Sequence, residues 1–559
     1  MNDLPWAWPQ AVSFRDAGVH PSLRFPHPRP LKPMESTPSQ AADGREVEWQ
    51  FDAIDTRPVE RWLKAAGDVV TRSGTKRFVD TYADTDDWRL YRAGYSLRLR
   101  VGHGGIEATM KSLSPGANGL RDRTEITEPL PAGRLETLPA SEGPVGKRVR
   151  TVAGSHAIKR KFQVRTRRQT YLVSSNGSAA AEVALDATTI PVEGSEPARL
   201  LRVEVETNGR TTPDLTDFVG KMRDACGLTP ASVSKFEAGL LARGLAPQRS
   251  LDLGSLEISM GSSVEELAFA VLRKHFAALL RKEGGTRLGE DPEQLHDMRV
   301  ATRRIRAAIA FFEAALPAEV VGLREEMGWV ASALGAVRDL DVLIEQLVTW
   351  RRQARSLDDR ALGEVAGVLS TDRDQARANL VQTLDSPRYE RLLAEFTALL
   401  RHGPVGASPF SHVPAVDAAP PLIKERYRKV RKGGRRIDRT SKPAEYHRLR
   451  IRAKRLRYAL QFLAPIYGER VTALIRRTVR LQDLLGAHQD AEVAVARFEA
   501  IVAEEGNDLP PAAAFAMGEI AERYAKRKAK LRRRFPKVFR RVGGAAWADV
   551  RRVMKRAAS

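Results

Sequence analysis

His296-Asp297-Met298-Arg299-Val300-Ala301-Thr302-Arg303-Arg304-Ile305-Arg306 returns 151 residues later as His447-Arg448-Leu449-Arg450-Ile451-Arg452-Ala453-Lys454-Arg455-Leu456-Arg457. Basic residues match in four places: Arg299 with Arg450, Arg303 with Lys454, Arg304 with Arg455, and Arg306 with Arg457. Apolar residues match too, Met298, Ile305, Ile309 and Phe312 against Leu449, Leu456, Leu460 and Leu463. A second block keeps the same offset. Leu334-Gly335-Ala336 with Asp339 and Asp341 mirrors Leu485-Gly486-Ala487 with Asp490 and Glu492. Two blocks in step without a gap identify an internal duplication. From about Val264 onward apolar residues recur every three or four positions, and Ala, Leu, Arg and Glu dominate, which predicts helices throughout. The Gly/Pro/Ser-rich stretch 402–421 divides this region. The unit is thus a helical bundle present twice, in halves of about 255–405 and 415–559.

At 100° per residue, His296, Arg299, Arg303 and Arg306 fall within about 80° of one another, with the matched apolar residues on the opposite face. His447, Arg450, Lys454 and Arg457 repeat that stripe, and Arg304 and Arg455 adjoin it. Like charges at helical spacing repel by a few tenths of a kcal/mol per pair. Two aligned stripes therefore predict a continuous basic surface that meets an anion. Asp339, Asp341, Asp490 and Glu492 are placed to pair with the stripes, and read equally well as ordinary surface charge.

Charge points the same way. The 559 residues carry 92 basic and 69 acidic side chains, a net charge of +23. Residues 415–559 hold 36 basic against 15 acidic residues, a net of +21, so nearly all of the surplus lies in the second copy. Such a surplus suits nucleic acid, anionic lipid or polyphosphate. Residues 424–457 contain 16 basic residues but only Tyr427 and Tyr446 as aromatics. A nucleic-acid reader would interleave stacking groups, so a polymer of phosphates without bases is favoured. No uncharged apolar run of eighteen residues appears, and no membrane span or membrane partner is expected. The N-terminus lacks a signal-peptide pattern. The single Cys226 excludes a disulfide framework and a cysteine-based zinc site, and fits a cytoplasmic location.

The first half reads differently. Residues 1–44, with eight prolines before position 40, are expected to be a disordered tail, and Met34 is an alternative start. From Arg45 to about Arg210, short alternating runs are broken by Gly, Pro, Asn and Asp. Glu46-Val47-Glu48-Trp49-Gln50-Phe51, Ser96-Leu97-Arg98-Leu99-Arg100-Val101 and Arg202-Val203-Glu204-Val205-Glu206 are the clearest, and 163–174 and 179–186 are strand-like. Such runs predict an antiparallel sheet or barrel, with helices near 57–66 and 212–226. Residues 245–255 form a short linker. Residues two apart share a strand face, so Glu46 with Glu48, Arg98 with Arg100, and Glu204 with Glu206 are paired. By pattern alone, those charges would face water and the alternate Val, Leu and Trp a core.

The paired His-x-x-Arg-x-x-x-(Arg/Lys)-Arg-x-Arg helices, each followed by Leu-Gly-Ala-x-x-Asp, resemble the CHAD domain over about 255–559. The resemblance implies two four-helix bundles related by pseudo-symmetry. It also implies that His296, Arg299, Arg303, Arg304, Arg306, His447, Arg450, Lys454, Arg455 and Arg457 bind inorganic polyphosphate, with association to polyphosphate granules.

The ordered set Glu46-x-Glu48, Tyr82-Ala83-Asp84-Thr85, Leu90-x-x-Ala93-Gly94, Leu97-Arg98-x-Arg100, Thr109-x-Lys111, Arg121-x-Arg123-x-Glu125, Arg165-x-x-Arg168, Glu182-x-x-x-Asp186 and Glu204-x-Glu206 resembles the CYTH family of triphosphate-tunnel metalloenzymes over about 45–245. The resemblance implies an eight-stranded antiparallel β-tunnel with flanking helices and inward charges. Glu46, Glu48, Asp186, Glu204 and Glu206 would hold Mg²⁺ or Mn²⁺ through oxygen. Arg98, Arg100, Lys111, Arg121, Arg123, Arg165 and Arg168 would clamp phosphates, Arg by bidentate hydrogen bonds. Glu46, Glu48, Lys111, Glu204 and Glu206 would serve catalysis. The family's opening motif ends in lysine where this chain has Gln50, which brings no charge.

The organisation expected is a tail at 1–44, a tunnel domain at 45–245, a linker at 246–254 and a helical domain at 255–559. The activity expected is metal-dependent hydrolysis of tripolyphosphate or a similar triphosphate beside polyphosphate binding. Two alternatives stand: a non-catalytic granule scaffold with a degenerate tunnel, and a nucleic-acid binder working through the basic half. The adenylate cyclase activity found elsewhere in the CYTH family is disfavoured, because no adenine-recognition feature is present.

Overall fold

The computed structural model describes residues 44–557, apart from 67–69, 103–104, 114–115, 132, 176–177, 208–210, 354–358, 407–408 and 505–510. The expected Pro-rich tail and Met34 lie outside the described residues.

The first half is built on β1 (Gly44–Asp52), α1 (Arg57–Ala65), β2 (Val70–Asp84), α2 (Arg89–Arg92), β3 (Tyr95–Gly102), β4 (Gly105–Ser112), β5 (Leu120–Leu130) and α3 (Pro144–Ala153). It continues through β6 (Lys159–Ser175), β7 (Ser178–Ile190), β8 (Ala198–Thr207), α4 (Pro213–Cys226), the two-residue β9 (Thr229–Pro230) and α5 (Lys235–Ala242). Strands run in the order β5-β4-β3-β2-β6-β7-β8-β1, all antiparallel, and β1 pairs again with β5. That last pairing closes eight strands into a barrel.

Closure explains how both faces of each strand are used. Trp49, Phe51, Val203 and Val205 point outward and are buried under α1 and α4 with Val59, Leu63, Leu215 and Met222. Leu97, Leu99, Ala108, Met110 and Ile126 point outward on the other flank, among Val145, Val149 and Val152 of α3. With the apolar alternates covered by helices, the charged alternates are left to the interior. The water-facing charges expected from alternation alone are therefore corrected: Glu46, Glu48 and Glu204 are buried. The helices expected near 57–66 and 212–226 are α1 and α4; α3 and α5 were not foreseen. The two turns of α5 close one end of the barrel, Phe236 and Leu240 packing on Tyr82, Phe162 and Val164. Gly239 permits this approach, since a Cβ there would stand 2.0 Å from the Phe162 ring.

The second half is helical: α6 (Val264–Leu288), α7 (Pro292–Phe312), α8 (Ala318–Gln353), α9 (Asp359–Leu384) and α10 (Pro387–His402), then α11 (Ala415–Gly434), α12 (Pro443–Tyr467), α13 (Thr472–Glu504), α14 (Pro511–Arg540) and α15 (Ala545–Ala557). The duplication is visible in these bounds. Val264 and Ala415, Pro292 and Pro443, and Gln353 and Glu504 each stand 151 positions apart. Each half is four long helices followed by a shorter fifth. By Cα proximity the described chain divides into two compact units, one reaching Asp252 and including Leu280–Asp291, the other made of Leu253–Leu279 and the residues from Pro292 on.

Candidate functional sites

Strand alternation carries Glu46, Glu48 and Gln50 of β1 into the barrel, where they meet β5 and β8. Glu48 lies opposite Arg121 on one side and Glu206 on the other, and Gln50 lies opposite Glu204. The cavity measures about 200 Å³. Its lining holds seven carboxylates, Glu46, Glu48, Glu107, Glu125, Glu204, Glu206 and Glu237, and seven cations, Arg98, Arg100, Lys111, Arg121, Arg123, Arg168 and Lys235. Burying that many charges is tolerable only because they pair.

The pairs are specific. Glu46 accepts from Lys111 Nζ at 2.7 Å and from Arg123 Nε at 2.8 Å. Against the pull of burial, these two cations hold Glu46 down to about 2. Glu48 accepts from Arg123 and, at 2.8 Å, from the Gln50 amide. Burial, with Glu204 and Glu46 alongside, pushes its carboxyl up to about 7. Glu204 accepts from Arg168 at 2.5 Å and from Lys235 at 2.9 Å. Those cations overcome its burial and keep it well below the usual range. Asp186 is fully buried, bidentate to Arg168 at 2.8 and 2.7 Å and bonded to Lys235. Arg100 is likewise bidentate to buried Asp80, at 2.7 and 3.0 Å, and lies over the Phe78 ring. Arg98 donates to Thr109 at 3.1 Å. Glu206 stands nearer the open end, its carboxyl raised by desolvation and by Glu46.

Two cations retain donors without partners. The buried Nε atoms of Arg98 and Arg121 make no hydrogen bond, and the Arg121–Glu237 contact is long, 3.8 Å. A buried unpaired donor costs roughly 1–3 kcal/mol, so these two are the groups best placed to gain from an incoming phosphate oxygen.

Four of the five expected metal-holding residues, Glu46, Glu48, Glu204 and Glu206, line the cavity, while Asp186 sits behind Arg168. Among the described residues no three acidic, His or Cys side chains stand together as a ready-made metal cage. The carboxylates are held by cations instead. Their chemistry nevertheless fits a hard cation: all donors are oxygen, and burial, with the repulsion of Glu204 and Glu46 added, lifts Glu48 to about 7. Arg98, Arg100, Lys111, Arg121, Arg123 and Arg168 reach the cavity as expected of phosphate ligands. Arg165 does not. It is exposed, opposite Val79 and Thr189 on the outward parity of β6, because an odd spacing separates it from Arg168. Lys235 was missed: it belongs to no strand, and its entry into the barrel depends on α5 folding back across the end. Ser234, whose hydroxyl accepts from the Glu237 amide in a capping box, starts that helix, and Ser-x-x-Glu at 234–237 is the signal that reveals it.

In the helical unit the stripes do not form the open surface expected. His296, Arg299, Arg450 and Arg457 are buried, and Arg303, Arg304, His447 and Lys454 partly so; only Arg306 and Arg455 are exposed. The stripes face each other across α7 and α12. Burial and the nearby Arg303, Arg450, Arg457 and Arg299 push the Lys454 ammonium well below its ordinary range. Arg303 Nε donates to the Tyr458 hydroxyl at 2.9 Å. Arg303, Arg306, Lys454 and Arg455 line a cavity of about 590 Å³ with Arg324, Arg426 and Tyr458. Asp339 pairs with Arg299 at 3.2 Å, and Asp490 lies beside Arg450, burial lifting its carboxyl to about 6. Asp341 and Glu492 turn elsewhere, to Arg373 at 2.5 Å and Lys528 at 3.0 Å. His296 is buried at the head of its stripe, and His447 Nδ1 is 3.1 Å from the Gln489 side-chain oxygen.

Among the described residues no helix is long and apolar enough to cross a membrane. Two curated Mycobacterium tuberculosis proteins, uncharacterized Rv2226 and MT2285, are each 27% identical over 488 residues, covering 80% of this chain and 87% of theirs. A solved CHAD domain from the plant Ricinus communis is 27% identical, spans 51% of this chain and 95% of its own, and superposes with a TM-score of 0.43. A putative adenylyl cyclase from Hippeastrum, described as having a dominant triphosphatase activity, is 16% identical and spans 36% of this chain and 99% of its own, at a TM-score of 0.29. The CYTH domain family model matches residues 46–239 and the CHAD domain family model residues 270–499. The chain carries a CYTH domain followed by a CHAD domain.

Proposed function

We propose that the chain handles inorganic polyphosphate in the cytoplasm, its tunnel hydrolysing tripolyphosphate or a similar triphosphate end and its helical unit holding the polymer. The observation that supports this most directly is the barrel cavity in which seven cations and seven carboxylates face one another. Such a site suits a ligand that is itself an array of negative oxygens plus a cation.

Arg98 and Arg121, with their unpartnered Nε donors, receive phosphate oxygens first. Arg100, Arg123 and Arg168 are held in fixed orientations by Asp80, Glu46 and Asp186, so they present their remaining donors without reorganising. Lys111 and Lys235 add point charges at opposite sides of the carboxylate cluster. Glu46, Glu48, Glu204 and Glu206 would hold the Mg²⁺ or Mn²⁺ that the CYTH resemblance implies. When bound, that ion supplies charge stabilisation and positions water for attack on phosphorus. Burial lifts the Glu48 carboxyl to about 7; a bound cation would draw it down and leave Glu48 a carboxylate ligand.

The helical unit gathers buried Arg299, Arg450 and Arg457 with Arg303 and Lys454. Packing like charges in low dielectric is costly unless an anion offsets it, which supports polyphosphate binding there; association with granules rests on the CHAD resemblance alone. One observation favours the scaffold reading instead: Gln50 stands uncharged between Glu48 and Glu204. Phosphate release from tripolyphosphate, with and without Mg²⁺ or Mn²⁺, separates the two. No release from purified protein that binds the metal normally would leave the scaffold.

A further inference from the structure

The tunnel unit has a second cationic surface, on its outside. α1 and α4 cover one flank of the barrel and α3 the other. α1 and α4 cover Tyr171, Val183, Leu185 and Val203 on β6, β7 and β8, but the outward positions Arg77 of β2, Arg165 and Arg167 of β6, Ala187 of β7 and Arg199 of β8 are exposed. Register places Arg77 directly opposite Arg167, and Arg165 opposite Thr189, which is itself opposite Arg199. All four arginines are exposed. The outward positions around them are Thr75, Val79, Thr81, Gln163, Ala187 and Thr189, without one carboxylate. Elsewhere on the same unit, exposed Arg45 pairs with Asp122 and exposed Arg57 with Asp55.

Like charges directly opposite on neighbouring strands are destabilising. Arg77 against Arg167 is such a pair, and Arg165 lies two residues from Arg167 on the same face. Four cations on a stiff sheet, with no acid between them, form a site for a polyanion. No aromatic side chain is among these outward positions, so base stacking has no platform. That favours a bare phosphate polymer over a nucleic acid.

We propose that Arg77, Arg165, Arg167 and Arg199 form a docking surface for inorganic polyphosphate on the outside of the barrel, separate from the tunnel. This rests on the polyphosphate reading above, and extends it to a surface that neither the tunnel nor the helical stripes include. A long chain engages it; tripolyphosphate, taken up inside the cavity, does not need it.

The test uses the full chain and a triple variant, Arg77→Gln, Arg167→Gln, Arg199→Gln. Long-chain polyphosphate affinity is measured across a salt series, and tripolyphosphate turnover alongside. By analogy with DNA, each lost phosphate contact lowers the log–log salt slope by roughly 0.9, so a fall of about 2–3 is expected, with turnover unchanged. The matching lysine triple keeps the charges and should keep the slope, which excludes misfolding as the cause. An unchanged slope in the glutamine triple overturns the docking surface. Loss of single-stranded DNA binding, with polyphosphate unaffected, overturns the choice of ligand. A reduced slope in a protein that releases no phosphate would sink the triphosphatase reading and leave the docking surface standing. Rapid tripolyphosphate turnover without any long-chain binding does the reverse.

Discussion

Replacing Lys235 with Gln should destabilise the tunnel unit and cripple its chemistry. Lys235 is 9% exposed and bonds both Asp186 and Glu204. Removing one partner of a buried ion pair costs about 3–5 kcal/mol, because the other charge is left uncompensated. Arg168 still bonds both carboxylates, at 2.5 to 2.8 Å, so the lower end, ~3 kcal/mol, is expected. For a unit of this size that lowers Tm by roughly 6–12 °C. The loss should depend on pH. Lys235 is the leading cation that keeps Glu204 well below the usual carboxylate range. A depressed carboxyl contributes stability that is present above its unfolded pKa of about 4.3 and lost as pH falls through the folded value. The variant forfeits part of that contribution, so its deficit is largest near neutrality and shrinks below about pH 4. Thermal unfolding followed by circular dichroism at pH 7 and pH 4 measures both. Lys235→Arg should recover most of the stability. A glutamine variant that melts with the parent at pH 7 would refute the claim that this lysine balances the buried acids.

Gln50→Lys should raise tripolyphosphate turnover, since a cation there would stand beside Glu48 and Glu204; groups stabilising developing charge are typically worth 10²–10³ in rate, and no gain over a slow parent would count against a role for that position. Glu204→Gln with Glu206→Gln should abolish Mn²⁺ binding in isothermal titration, and undiminished binding would show that the ion is held elsewhere. Lys454→Met should raise stability by about 1–2 kcal/mol while weakening polyphosphate binding, because it relieves a half-buried cation pressed by four arginines; a drop in Tm would contradict that. Burial and Arg532 hold the His488 ring down to about 4, and Arg532 donates to its Nε2 at 3.0 Å. The folded helical unit therefore keeps His488 neutral, and its stability should be lost as pH falls from about 6.5 toward 4; a melting temperature flat over that window would argue otherwise.

The sequence by itself determined the duplication, because apolar and basic residues recur at an unbroken offset of 151 and helical periodicity is local. It also determined which strand residues share a face, since alternation is a property of the extended chain. That was enough, with the family resemblance, to assemble Glu46, Glu48, Glu204, Arg98, Arg100, Arg123 and Arg168 as one set. Which face turns inward was not local. Only closure of β1 onto β5, and the helices α1, α3 and α4 laid over the apolar face, decided that the charges go inside. Arg165 and Arg168 look equivalent in a motif but differ by an odd spacing, so the pleat sends one outward and the other in. Lys235 reaches Glu204 from 31 residues away in sequence, through a helix folded across the barrel end, a contact no periodicity encodes. The cationic stripes were legible residue by residue, yet their burial was not. Two copies of one amphipathic helix carry no mark of whether their charged sides meet water or each other, and only the packing of α7 against α12 decides it.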